Sequence, residues 1–361
     1  MSTQTMAGAP APAKAAGPNL NKNPRMVSTW HLKPADELSW EQRLILKLNV
    51  LQQAKDTPKP PVFSKEKGDK VPYLPVYTEQ WKWIMPRALL PLAIHGAFQK
   101  LTGWNFHPAF AFVYYFLAFK FTALAAVRSF NRMGQRYGYF DGAVPRDGIP
   151  DNMSGKVLWS MLGTVSIRPL FAIFLIYNRQ ESAWNIDPLM LPVQLFLYSA
   201  ILDFWFYCYH RAMHTVPWLW HHHALHHKTR HPNPLLSAFA DNEQEWGDIL
   251  VIPLLTWLVF PVNFPTWWVC QVFIIYTEAM GHSGVRLYWQ TPMTGKWRPV
   301  LRLFNMDLAL EDHDLHHRRG WKVSSNYGKQ TRIWDTLGGT TRDRIEGTED
   351  NIDWVNTAKV L

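Results

Sequence analysis

Four apolar stretches, each close to the length that crosses a bilayer, govern what this 361-residue chain can fold into. They are 83–101, with Pro86 and Pro91 near its start; 108–127, interrupted by Lys120; 157–177, broken by Arg168 and Pro169; and 188–209. A helix of about 20 residues spans the hydrocarbon core. Inside it every backbone N–H and C=O must be satisfied within the segment, which makes each stretch a helix. Two shorter runs, 249–260 and 267–280, are separated by Pro261 and Pro265. Short for spans, they read as a re-entrant hairpin or a buried helix pair. The fold class expected is all-α: an integral membrane helical bundle of about four spans plus this hairpin.

Composition agrees with a membrane protein that also has a sizeable polar part. Only 18% of residues are charged, against about 25% in soluble domains. Nineteen tryptophans suit membrane–water interfaces. The net charge of +9 is not gathered into a nucleic-acid motif, so no nucleic-acid partner is expected. Arg128, Arg132, Arg136 and Arg146 follow the second span, whereas the other connections carry little charge. By the positive-inside rule the 128–156 connection is cytoplasmic, and the fourth span then returns His210 to that face. Two cysteines, Cys208 and Cys270, imply neither a disulfide framework nor a thiolate metal site.

Metal, if present, must therefore be held by histidine and carboxylate. Twelve of the fifteen histidines lie between 210 and 317. His210 and His214, at i and i+4 in HRAMH, share one face of a helix. His223, His226 and His227 form HxxHH; His282 stands alone in GHSG; His313, His316 and His317 form a second HxxHH. A structural metal takes about four ligands, so these nine imidazoles suit two metals of about four to five ligands each. Neighbours on a helix diverge by about 100°, so His226 and His227 can serve different ions. Imidazole suits iron, zinc, copper and nickel alike. His221 and His222 are not expected to be ligands, His231 is left open among an orienting, a surface and a substrate-facing role, and His31, His95 and His107 fall outside the pattern.

HRAMH, HALHH and HDLHH, in this order, resemble the fatty acid hydroxylase/sterol desaturase superfamily of integral membrane di-iron oxygenases, with boxes most like the sterol methyl oxidase branch. Asp203 and Tyr207 before HR, the lone His282 and the ending NYGKQTRIWDTLGGT extend the likeness over about 185–340, with Leu337-Gly338 where Phe-Gly is usual. The resemblance implies two iron ions on His210, His214, His223, His226, His227, His282, His313, His316 and His317. It further implies O2 activation and attack on an unactivated C–H bond, giving an alcohol or, after a second abstraction, an alkene. Arg286 stands where the fatty acid 2-hydroxylase branch has a further histidine. A tenth position falls to water or to a carboxylate such as Glu278, four residues before His282; Glu278 reads first as a plain helix residue, and is also a candidate, with Asp203 and Asp314, for orienting the ligands. Asp203, Asp312 and Asp314 are expected to accept an N–H from a ligand histidine.

The implied organisation is a flexible N-terminal tail over 1–80 with a short helix around 39–53, membrane helices over 81–180, a catalytic segment over 181–340 and a C-terminal tail over 341–361. The N-terminus lacks the apolar core of a signal peptide. Neither a dinucleotide fingerprint nor a fused cytochrome b5 signature is present. A separate cytochrome b5-type donor with its NAD(P)H reductase is implied, docking on basic residues such as Arg318, Arg319 and Lys322. The expected function is hydroxylation of a sterol, terpenoid or fatty acyl lipid at the endoplasmic reticulum membrane, with the histidines facing the cytoplasm. Desaturation on the same site is the alternative. A zinc hydrolase lacks its HExxH glutamate here. A metal transporter would place its ligands within the spans rather than after them.

Overall fold

The computed structural model describes residues 26–51, 58–142, 144–163 and 167–361. Its main elements are α1 (Trp40–Lys47), α2 (Lys82–Thr102), α3 (Pro108–Tyr137), α4 (Ser154–Leu162), α5 (Ile167–Leu175), α6 (Leu191–Thr215), α7 (Pro217–His223), α8 (Asn242–Trp246), α9 (Ile252–Val259), α10 (Phe264–Gly281), α11 (Arg298–Leu303), α12 (Leu310–Arg319) and α13 (Ile333–Leu337). The all-α class is as expected. Only a two-residue parallel pairing, β1 (Val71–Pro72) on β2 (Ile352–Asp353), departs from it among the named elements.

Among the described residues, three helical stretches are long and apolar enough to cross a membrane: α3, the Ser154–Leu175 stretch that carries α4 and α5, and α6. The first expected span, α2, has the length, 21 residues, but is less apolar. Phe110, Val113, Leu117 and Phe121 line one exposed stripe of α3 at helical spacing, the pattern of a lipid-facing surface. α3 runs on to Tyr137, past the end expected at 127, so Arg128, Arg132 and Arg136 sit on the helix and not in a loop. Arg128 donates to the Leu48 carbonyl at 2.8 Å, and Arg146 is buried.

The second shorter apolar run forms a buried helix. α10 starts at Asn263, whose side chain accepts from Thr266 N, and apart from Glu278 it is buried along its length. Trp268 is fully buried, and its indole N–H donates to the Ala88 carbonyl at 2.8 Å, tying α10 to α2. Trp268→Ala is expected to cost about 3–5 kcal/mol, read as a lower unfolding midpoint in detergent; an unchanged midpoint would place α10 outside the core.

The segment 1–80, expected as a flexible tail, packs where it is described. Ser39 and Gln42 form a reciprocal capping box on α1, the short helix read from the sequence. Trp30 is fully buried and donates to the Ile149 carbonyl at 3.1 Å, because an indole of that size has more to gain in a core than in water. The C-terminal residues also return to the body: Ala358 is fully buried and its backbone N–H donates to the Tyr73 carbonyl at 2.8 Å. Arg286 bolts the two ends together through Glu346 at 2.6 Å and the Lys70 carbonyl at 2.9 Å.

Candidate metal centre

Nine histidines, each at most 5% exposed, converge at the C-terminal end of α6. His210 and His214 project from one face of its last turns. α7 ends at His223, and a 3-10 turn over His226–Lys228 carries the next pair, so the first HxxHH is not one continuous helix. His282 caps the end of α10. His313, His316 and His317 lie on α12.

The side chains form two adjacent groups. In one, the ligating atoms of His210, His214, His223, His227 and His316 all lie within 4.8 Å of one another; in the other, those of His226, His282 and His317 do. His313 joins the second group, its Nε2 lying 3.1 Å from that of His282. His226 and His227 thus face different groups, as their angular divergence requires. His316 and His317 divide in the same way.

Hydrogen bonds on the outer nitrogens fix what the inner ones can do. Nδ1 of His210 faces the Tyr327 carbonyl at 2.7 Å, that of His226 the Phe239 carbonyl at 3.0 Å, and that of His282 the Glu278 carbonyl at 2.8 Å. His316 faces the Ser325 carbonyl at 2.7 Å and His317 the Thr229 carbonyl at 2.8 Å. His223 faces the Gln244 side-chain oxygen at 2.9 Å. A carbonyl only accepts, so each Nδ1 carries the proton and each Nε2 presents a lone pair. Yet Nε2 of His210 lies 3.0 Å from that of His223, and Nε2 of His226 lies 3.4 Å from that of His282. Two lone pairs at that distance repel unless a cation lies between them. His317 Nε2 is buried without a partner among the described residues, as a nitrogen left free for a metal ion would be. The donor set fits two imidazole-bound metal ions.

Burial keeps these rings neutral, the ligating form. It is the largest cause in pushing His226 down to about 4 and in holding His223, His227, His282, His313, His316 and His317 well below the ordinary 6.5, and in each of these the neighbouring imidazoles add to it.

The carboxylates act differently from the sequence expectation. Asp203 touches no ligand histidine. It accepts from the backbone N–H of Lys329, Gln330 and Thr331 at 2.7, 2.8 and 3.0 Å, and from the Thr331 hydroxyl at 2.7 Å. It therefore positions the loop whose Tyr327 carbonyl holds His210. Asp335 grips the same loop through Tyr327 N and Gly328 N, and a Cβ on Gly328 would lie 2.6 Å from the Thr331 carbonyl. These contacts give the NYG…WD ending its physical role. Asp314 pairs with Arg146 and Arg318, and Asp312 with Arg344 at 2.7 Å. An arginine fork outcompetes a neutral imidazole for a buried carboxylate. The Glu278 carboxylate pairs with Arg168 at 3.0 Å rather than standing as a tenth ligand, and only its backbone carbonyl serves the site. Glu278→Gln is expected to leave metal stoichiometry unchanged by elemental analysis; loss of one ion would restore it as a ligand.

His222 lies 3.6 Å from Glu243, His231 contacts Asp141, and His221 is exposed. His95 stacks on Phe106 and bonds Tyr115 and Asn105; His107 caps α3; His31 bonds Ser28. Arg318 is committed to Asp141 and Asp314, which removes it from any docking surface and leaves Arg319 and Lys322 exposed. Sequence reasoning missed Gln244, and nothing in its surroundings along the chain marks it.

The profile of the fatty acid hydroxylase family matches residues 195–340, which contain all nine histidines. A protein of Lecanicillium sp named fatty acid hydroxylase vlmA is 39% identical over 320 residues, covering 82% of this chain and 87% of its own. The chain belongs to the fatty acid hydroxylase family. Other members are similar over less of their length. A very-long-chain aldehyde decarbonylase, GL1-8 of Oryza sativa subsp. indica, is 32% identical over 42% of this chain and 52% of its own. Methylsterol monooxygenase 1-3 of Arabidopsis thaliana is 26% identical over 52% of this chain and 60% of its own. No solved structure matches the chain significantly. Family membership and the relatives' names make the chain an oxidoreductase, a lipid hydroxylase or oxidase, with buried histidine clusters able to hold metal. Among the described residues, the three helices long and apolar enough to cross a membrane point to an integral membrane protein.

Proposed function

We propose that the chain is an O2-dependent di-iron monooxygenase that hydroxylates an unactivated C–H bond of a membrane lipid. The observation that carries this reading is the meeting of nine buried imidazoles in two adjacent groups. Bound iron would supply the reduction of O2 that breaks the C–H bond, consuming O2, two electrons and two protons and releasing the alcohol and water. The chain's own residues do the rest. Carbonyls of Tyr327, Phe239, Glu278, Ser325 and Thr229 hold the ligand rings in one tautomer. Burial of the rings excludes water from the reacting centre. Relatives named hydroxylase and monooxygenase favour hydroxylation over desaturation.

The substrate is a largely apolar lipid that enters from the bilayer, and electrons come from a separate cytochrome b5-type donor. Exposed Arg319 and Lys322, beside the third histidine box, suit an acidic docking face. The arginines on and after α3 favour a cytoplasmic orientation of the histidine end, in the endoplasmic reticulum. Purified protein in nanodiscs, supplied with donor, reductase, isotopically heavy O2 and a lipid panel, should yield a product carrying one heavy oxygen. An unlabelled product lighter by two hydrogens would mean desaturation. Stoichiometric zinc with no oxygen uptake would mean a hydrolase.

A further inference from the structure

One cavity, of about 60 Å³, is lined by Glu278 and by Ala240, the residue after Phe239. The carbonyls of Glu278 and Phe239 hold His282 and His226, so the cavity lies one residue removed from the second histidine group. Its wall carries Arg168, Lys329, Asp248, Glu278 and Glu245, an unusual concentration of charge for a site bounded by apolar helices, where ionisable groups are costly and tend to serve function. Arg168, whose side chain is 7% exposed, pairs with Glu278, and Lys329 lies 3.9 Å from both Asp248 and Glu278. In this wall the Arg168 Nε–H, a donor, and Asp248 Oδ1, an acceptor, make no hydrogen bond among the described residues, with Gln244 beside the Asp248 carboxylate.

The cavity shares Ser237, Ala238 and Ile275 with an apolar cavity of about 100 Å³ between α3, α4 and α10. On the other side it shares Arg168 and Ile249 with an apolar pocket walled by Phe171, Trp257 and Trp267. A polar waist thus lies between two greasy chambers. Three carboxylates against two cations give an anionic headgroup no net attraction. A neutral group that both donates and accepts would complete both unmatched atoms.

We propose that this cavity binds a hydroxyl group of the lipid substrate. The hydroxyl donates to Asp248 and accepts from Arg168, which sets which carbon of the apolar remainder faces the histidine groups. This deepens the hydroxylase reading and rests on it for the identity of the ligand as substrate. The test is equilibrium binding of radiolabelled 1-hexadecanol, palmitate and hexadecane to the full-length, metal-loaded protein in nanodiscs. The alcohol should bind about tenfold or more tightly than either, the scale of one hydrogen bond to a charged group. Asp248→Leu should remove that advantage and leave hexadecane binding and metal content unchanged, and Asp248→Asn should restore part of it. Palmitate binding tightest, or hexadecane binding as well as the alcohol, would overturn the proposal, and the wild-type ranking decides even if a variant does not fold. Because binding is read without turnover, a protein that binds the alcohol but oxidises nothing contradicts the oxygenase reading alone.

Discussion

Replacing His316 or His282 with alanine should abolish lipid oxidation and lower bound metal by about one ion per chain, since each belongs to a different group of ligands. Loss of a residue that only orients a metal ligand typically costs about 10–100-fold in affinity or activity. Removal of a ligand should exceed that range. The two substitutions should also differ from a change at His221, which is exposed and outside both groups; His221→Ala should keep metal and activity. Elemental analysis beside oxygen uptake checks this. Full metal retention in both His316→Ala and His282→Ala would show that the imidazoles meet for some reason other than metal.

The second large effect is expected at Asp203, which contacts neither group. Asp203→Ala strands three backbone N–H groups and the Thr331 hydroxyl in a site where Asp203 itself is fully buried. Each unsatisfied buried donor costs about 1–3 kcal/mol, so several kcal/mol of stability should be lost, about 4 or more. The released loop carries the Tyr327 carbonyl that fixes His210, so metal affinity should fall with it. Asp203→Asn keeps an acceptor and should lie between wild type and alanine. Thermal unfolding in detergent and metal titration read the two effects separately. A stable Asp203→Ala variant with full metal affinity would mean that the loop is held by other contacts.

The parts of this architecture that were legible in the sequence are those encoded locally. Apolar runs near 20 residues marked the long helices, and histidines at helical spacing marked the side chains that gather into the two buried groups. Both signals depend on residues a few positions apart. The carboxylates were misread because their partners are remote: Asp203 meets the loop 126 to 128 residues further on, and Asp314 meets Arg146 from 168 residues away. The acceptors that orient the histidines are mostly backbone carbonyls, which no residue type announces. The N-terminal segment read as tail because it is polar and proline-containing, yet one indole, Trp30, anchors it. Arg168 was visible only as a break in an apolar run, although a charge there was itself the mark of the polar cavity.

Metal quantification on the purified full-length protein, followed by anaerobic reduction and spectroscopy of the bound ions, reads the histidine site itself. Two iron ions per chain, magnetically coupled to one another, are expected of a di-iron site. A single ion, or two that are not iron and take up no oxygen when reduced, would contradict the di-iron reading.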